Sequence, residues 1–137
     1  MKKKKINRGI SDILEGKEER VVNDFKDKLL KRFKDKVVLI KIFGSRVRGE
    51  VRKNSDIDVL VVYKGNDRVR DSLLNIEWQI LKKYDYSVYL SVVPYSFKEY
   101  EYDYRMQTPF IYNVDKEGVS LWDTVPKKKQ KKHLKKL

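Results

Sequence analysis

Two small groups of residues in the middle of the chain have the types and spacing that phosphate chemistry needs. Gly44 and Ser45 follow an apolar run, and ten residues separate Ser45 from Asp56 and Asp58, which precede a second apolar run. Glycine lets the backbone turn tightly, and free N–H groups at the start of a helical turn can bind an anion. Two carboxylates at i and i+2 of a strand face the same side, about 7 Å apart. The pattern indicates a phosphate turn beside ligands for a hard divalent cation.

The elements that must position these residues follow from apolar periodicity and from turn residues. The pattern predicts a helical segment over 11–35 that Ser11 or Asp12 can cap, in which Gly16 divides a short first turn from the main helix over 17–35. It then predicts a strand over 37–43, a short helix over 45–50, a strand over 56–63, a helix over 68–83 and a strand over 86–93 ended by Pro94. The last elements are a helix over 96–104, a helix from Pro109 to Gly118, and an edge strand over 119–122. This order predicts an α/β (α+β) fold, with a three- to four-stranded mixed sheet and helices mainly on one face.

Length and charge predict one domain with basic ends. The chain has 137 residues and a formal charge of +13, but four of these charges come from 2–5 and seven from 127–136, which leaves about +2 for 6–126. We therefore expect a flexible basic N-terminus over 1–10, a single domain over 11–125 and a lysine-rich tail over 126–137. Such ends are either solvated tails or weak attractors of RNA.

The composition gives little support to thiol or histidine chemistry. The chain has no cysteine, and its one histidine, His133, lies in the lysine tail, so thiolate sites and histidine triads are not expected. No apolar run approaches the ~18 residues of a membrane span, and no secretory h-region follows the first lysines. We therefore expect a cytoplasmic protein.

The run Gly44-Ser45-Arg46-Val47-Arg48-Gly49, followed by Ser55-Asp56-Ile57-Asp58, resembles the signature of the minimal nucleotidyltransferases. These are small members of the DNA polymerase β-like nucleotidyltransferase superfamily, and the resemblance extends from about residue 35 to residue 122. It implies the nucleotidyltransferase fold. It further implies that Gly44 and Ser45 bind the β- and γ-phosphates of ATP and that Asp56 and Asp58 are the catalytic ligands of one or two Mg²⁺ ions.

The resemblance leaves the remaining site residues less settled. Arg46 and Arg48 are either partners of the triphosphate or ordinary exposed side chains. The family carries a third carboxylate on the next strand, but that strand face reads Ser87, Tyr89, Ser91 here. Asp85 is the one candidate for a shifted third metal ligand, and loss of that acid is the alternative.

Three further groups of side chains have structural interpretations. Asp67, Asp71 and Glu77 are expected to cap a helix or to be solvated charges. Trp78 is expected in the core, with base stacking as the alternative. The tyrosines at 95, 100, 102 and 104 predict a helix packed on the sheet or on a partner rather than an RNA-stacking surface.

The resemblance implies a Mg²⁺-dependent transfer of AMP from ATP to a protein acceptor. In the family, the small enzyme acts as the antitoxin of a helical HEPN-type ribonuclease toxin and modifies a tyrosine on it. The alternatives are a catalytically impaired relative that neutralises its partner by binding alone, and an RNA-associated protein acting through its lysine tails.

Overall fold

Four helices and four strands make up residues 9–50 and 56–126, which a computed structural model describes. The elements are α1 (Gly16–Phe33), β1 (Val37–Phe43), β2 (Ile57–Tyr63), α2 (Asp67–Lys83), β3 (Leu90–Ser96), α3 (Phe97–Met106), α4 (Pro109–Glu117) and β4 (Val119–Asp123), with one 3-10 turn at Ile10–Asp12. The predictions for 1–8 and 127–137 lie outside the described residues. None of the helices that the structure describes is long and apolar enough to cross a lipid bilayer.

The four strands form one mixed sheet in the order β3-β2-β1-β4. Strand β1 is antiparallel to β2 and β4, and β2 is parallel to β3. The apolar runs of β1 and β2 occupy the centre because both of their faces are covered. The predicted fold class and the predicted edge strand β4 are confirmed.

Helices cover both faces of this sheet, although we expected them mainly on one, because alternate residues of the central strands bury apolar side chains on each face. Val59 and Val61 of β2 pack on the side of α1 and α2, whereas Leu60 and Val62 pack on the side of α3 and α4. The two long helices share one face, and the two shorter ones cover part of the other. Tyr100 is buried in the second cluster, which confirms that the tyrosine-rich helix packs on the sheet. Asp58 has the same parity as Leu60, so its carboxylate lies on the α3–α4 face.

Strand β3 begins later than predicted. We expected it over 86–93 with Pro94 at its end, but it runs over Leu90–Ser96 and includes the proline. Asp85 and Tyr86 adopt the left-handed conformation, with φ of 53° and 56°. The chain is therefore still turning after α2 where the strand was expected to start.

Proline is tolerated within β3 because this strand lies at the edge of the sheet. Ile57 N–H donates to the carbonyl of Tyr89, so alternate residues of β3, beginning at 90, direct their N–H groups away from β2. Val92 N–H accordingly donates to Oε2 of Glu77, 3.2 Å away on α2. Pro94 is the next outward position and has no N–H to satisfy.

The position of Trp78 also differs from its prediction. Trp78 is 61% exposed, although we expected it in the core. The buried stripe of α2 includes Ile76 and Ile80, and a residue two positions from either lies about 200° around the helix. Packing against β2 and β3 therefore selects a stripe that excludes Trp78.

We expect Phe25→Ala to destabilise the fold by about 3–5 kcal/mol, because the fully buried ring lies between α1 and the sheet. Trp78→Ala is the control and should change stability by no more than about 0.5 kcal/mol. Urea unfolding followed by circular dichroism measures both. Equal losses in the two variants would contradict the assignment of the buried face of α2.

Candidate active site

The chain reverses direction in a tight turn directly after β1. Gly44 has φ of 87°, a conformation that favours glycine. Its carbonyl accepts from the N–H groups of Val47 and Arg48, at 3.1 and 3.3 Å, and the Ser45 carbonyl accepts from Glu50 N–H at 2.9 Å. The predicted short helix over 45–50 is therefore a series of turns. Ser45 lies at the start of the first turn, where helical geometry offers its N–H no acceptor.

Asp58 lies against this turn. The register of β1 and β2 pairs Phe43 with Asp58, which brings the carboxylate beside Gly44. A Cβ at position 44 would overlap Oδ2 of Asp58 and would come within 3.2 Å of its Cγ. The carboxylate thus occupies the space that any other residue's side chain would need, and the predicted phosphate turn and the predicted metal ligand are in direct contact.

The surroundings of Asp58 shift the pKa of its carboxyl group. Partial burial raises the pKa of Asp58 above its ordinary value of 3.8, and the charge of Asp56 raises this pKa further. The Arg48 guanidinium acts in the opposite direction. Asp56 itself is exposed just before β2. The structure therefore brings Gly44, Ser45, Asp56 and Asp58 to one end of the sheet, as the sequence pattern predicted.

Arg46 connects the turn to α1. Its side chain is 6% exposed, and Nη2 lies 2.6 Å from Oε1 of Glu18. Burial raises the pKa of Glu18, but the hydrogen bond and charge of Arg46, together with the N–H of Glu15, outweigh burial and lower this pKa below its ordinary value. The structure thus shows Arg46 supporting the turn, and contact with a triphosphate stays a prediction. The sequence did not indicate this role for Glu18, because no local pattern links two residues 28 positions apart.

Arg48 is exposed and closer to the carboxylates. Its guanidinium forms two hydrogen bonds to Glu50, at 3.1 and 3.3 Å, and Nη1 lies 3.6 Å from Oε1 of Glu117 at the end of α4. Because Arg48 also lowers the pKa of Asp58, its charge acts on the candidate metal site. A role in binding the triphosphate stays a prediction.

The structure does not gather Asp85 with the two site carboxylates. Asp85 is exposed in the left-handed turn between α2 and β3. Within 9–50 and 56–126, no group of three or more acidic, histidine or cysteine side chains could hold a metal ion. The residue paired with Asp58 on β3 is Ser91.

Glu77 is not the solvated charge that we expected. It is half-buried and accepts the Val92 N–H, because α2 packs along the open edge of β3. Burial raises the pKa of Glu77, the hydrogen bond from Val92 lowers it, and the charge of Asp56 raises it. Its position beside the buried stripe of α2 was the one available sequence signal. Asn66 caps α2 by accepting from Arg68 N–H at 3.0 Å, and Asp67 is the first residue of that helix.

Comparison with known proteins identifies the family. The family model described as "Nucleotidyltransferase domain" matches residues 22–136. The chain belongs to the nucleotidyltransferase domain family. Its membership agrees with the contact between a Gly-Ser turn and a carboxylate pair.

The individual proteins that resemble this nucleotidyltransferase share between 20% and 27% of its sequence. "Putative protein adenylyltransferase MJ0141" of Methanocaldococcus jannaschii is 27% identical over 103 residues, which span 74% of this chain and 95% of that protein. A solved "putative nucleotidyltransferase" from Sulfolobus solfataricus is 20% identical with a TM-score of 0.47, covering 78% of this chain and 81% of that one. A toxin-antitoxin structure with AMP-PNP is 22% identical with a TM-score of 0.48, covering 82% and 81%. Structural likeness at this level carries no functional detail.

Mg²⁺ suits the carboxylates of this nucleotidyltransferase. The ion is commonly held by one or two carboxylates together with substrate phosphates and water. Asp56 and Asp58 offer two carboxylates, and the Asp58 carboxylate lies directly against the Gly44 turn that would bind the phosphates. When bound, the ion would neutralise charge on the triphosphate and orient it.

We expect Gly44→Ala to weaken binding of Mg²⁺ with the ATP analogue AMP-PNP by about 10- to 100-fold, because the new methyl group displaces the Asp58 carboxylate. Gly49→Ala is the matched control. Gly49 also has a positive φ, 81°, but no described atom lies within 4 Å of an added Cβ. Both variants should lose about 1–2 kcal/mol of stability from backbone strain. Titration calorimetry checks the difference, and equal affinities for the two variants would contradict the proposed contact.

We expect Asp58→Asn to stabilise the metal-free protein, increasingly so as the pH rises. A carboxyl whose pKa is raised on folding loses stability as pH rises from the unfolded value, near 3.8, through the folded value. The amide carries no charge and avoids that loss. Melting temperatures without Mg²⁺, measured from pH 3.5 upward, should therefore diverge in favour of the variant. A variant less stable at neutral pH than at acid pH, relative to wild type, would contradict the assigned shift.

Proposed function

We propose that this nucleotidyltransferase transfers AMP from ATP to a hydroxyl group of a partner protein with the help of Mg²⁺. The observation that carries the proposal is the contact between the Asp58 carboxylate and the Gly44 turn, with Asp56 alongside. The turn supplies backbone N–H groups for the terminal phosphates. The carboxylates would hold the cation, and the cation would reduce the repulsion between their negative charge and that of the α-phosphate.

The transfer requires an in-line displacement at the α-phosphorus. The acceptor oxygen forms a bond to the α-phosphorus, and the bond from this phosphorus to the oxygen bridging to the β-phosphate breaks. Pyrophosphate leaves with the bonding electrons, and the hydroxyl proton passes to solvent. In this proposal the backbone of Gly44 and Ser45 and the carboxylates of Asp56 and Asp58 hold the donor, so positioning and electrostatics supply the catalysis.

The proposal of a protein acceptor is supported by the sequence resemblance and by a named relative. The relative from Methanocaldococcus jannaschii is named as a protein adenylyltransferase. We further propose that the acceptor is a tyrosine of a helical HEPN-type toxin, which makes this chain the antitoxin, as the sequence resemblance implies.

One observation favours a second function, neutralisation of the partner by binding alone. The residue opposite Asp58 on β3 is Ser91, so a neutral hydroxyl stands at this position of the strand instead of a carboxylate. A protein of this kind would retain nucleotide binding while turning over slowly or not at all.

Incubation with ATP labelled at the α-phosphate, Mg²⁺ and the purified product of the adjacent gene should label that product. The γ-labelled nucleotide should leave it unlabelled, because pyrophosphate departs with the γ-phosphate. Asp56→Asn should abolish labelling. Asp71→Asn, which removes an exposed acid from α2, is the matched control and should retain it.

A tight complex without any transfer by the wild type would support neutralisation by binding. Label from the γ-position, or equal labelling by Asp56→Asn and wild type, would contradict the proposed reaction.

A further inference from the structure

The immediate surroundings of Asp58 on its face of the sheet are set by strand pairing. Phe43 is its partner on β1, and Ser91 is its partner on β3. Directly paired residues of neighbouring strands lie on the same face with Cβ atoms about 4.5–5.5 Å apart. The carboxylate therefore has an aromatic ring on one side and a hydroxyl on the other. Asp56, two residues earlier in the sequence, adds a second carboxylate.

The other acids around the site have partners of their own. Glu77 accepts the N–H of Val92 at the outer edge of β3. Glu50 and Glu117 both pair with Arg48. No third acid joins the pair in the part of the chain that the structure describes, since no cluster of three metal-ligating side chains occurs there.

We propose that the site binds one divalent cation with its nucleotide rather than two, because Ser91 occupies the position from which a third carboxylate would complete a second metal site. Two-metal sites hold their ions about 3.5–4 Å apart, so two doubly charged ions lie close together and repel each other unless nearby anionic ligands offset them. A serine hydroxyl is neutral and cannot offset a second doubly charged ion. The inference rests on the proposed function, since it concerns the same nucleotide site.

This composition has a consequence for the acceptor. Without a second cation, nothing in the described site lowers the pKa of the attacking hydroxyl by direct coordination. The partner protein must therefore present a hydroxyl that ionises readily or must bring its own base. The nucleotide half of the reaction, held by Gly44 and Asp58, is unaffected.

The test counts Mn²⁺ ions bound with AMP-PNP, by electron paramagnetic resonance and equilibrium dialysis on the full chain. Wild type should bind one ion per bound nucleotide. Ser91→Asp places a carboxylate opposite Asp58 and should bind two, with the dipolar coupling of ions about 3.5–4 Å apart. Ser87→Asp is the matched control, because Ser87 lies exposed in the turn before β3, where its Oγ donates to the Tyr84 carbonyl. It should still bind one ion.

Two ions bound by wild type would overturn the inference, whatever the variants do. A folded Ser91→Asp that still binds one ion would overturn it as well, with circular dichroism as the check on folding. If wild type binds neither Mn²⁺ nor AMP-PNP, the proposed function itself fails, and this outcome is distinct from a count of two.

Discussion

The contact between the Asp58 carboxylate and the backbone of Gly44 is the constraint on which the rest of the site depends. It exists because β1 and β2 are antiparallel, with Phe43 and Asp58 as partners at their ends. The absence of a side chain at position 44 lets the carboxylate approach the turn. The same approach partly buries Asp58, and burial is the main cause of its raised pKa. The absence of a side chain at position 44 thus permits both the tight turn and the partial burial of the Asp58 carboxylate, whose negative charge a cation would neutralise.

The turn is held from both faces of the sheet. On the α1 side, Arg46 pairs with Glu18 in a largely buried contact. On the α4 side, Phe110 packs edge-on against Phe43, with ring centroids 5.3 Å apart. Removing one partner of a buried pair leaves an uncompensated charge, so the first contact contributes more to positioning than an exposed pair would. The turn is therefore prearranged rather than assembled by the ligand.

The sequence predicted the parts of the site that depend on local pattern. Gly44 and Asp58 could be found because their spacing and flanking apolar runs are visible in the chain, and the succession of strands along the chain followed from the same runs. What it could not supply depends on tertiary packing. Trp78 is exposed because the sheet selects another stripe of α2. The register that places Ser91 opposite Asp58 depends on a left-handed turn that no local propensity marks.

The most direct measurement of the central claim is the pKa of the Asp58 carboxyl, read from its ¹³C chemical shift by NMR. In the free protein, this pKa should lie above its ordinary value of 3.8, because of burial and the neighbouring Asp56. With Mg²⁺ and AMP-PNP, it should fall well below that value, because a directly bound cation favours the charged form. An ordinary pKa that Mg²⁺ and nucleotide leave unchanged would contradict the assignment of this carboxylate as a metal ligand beside the phosphate turn.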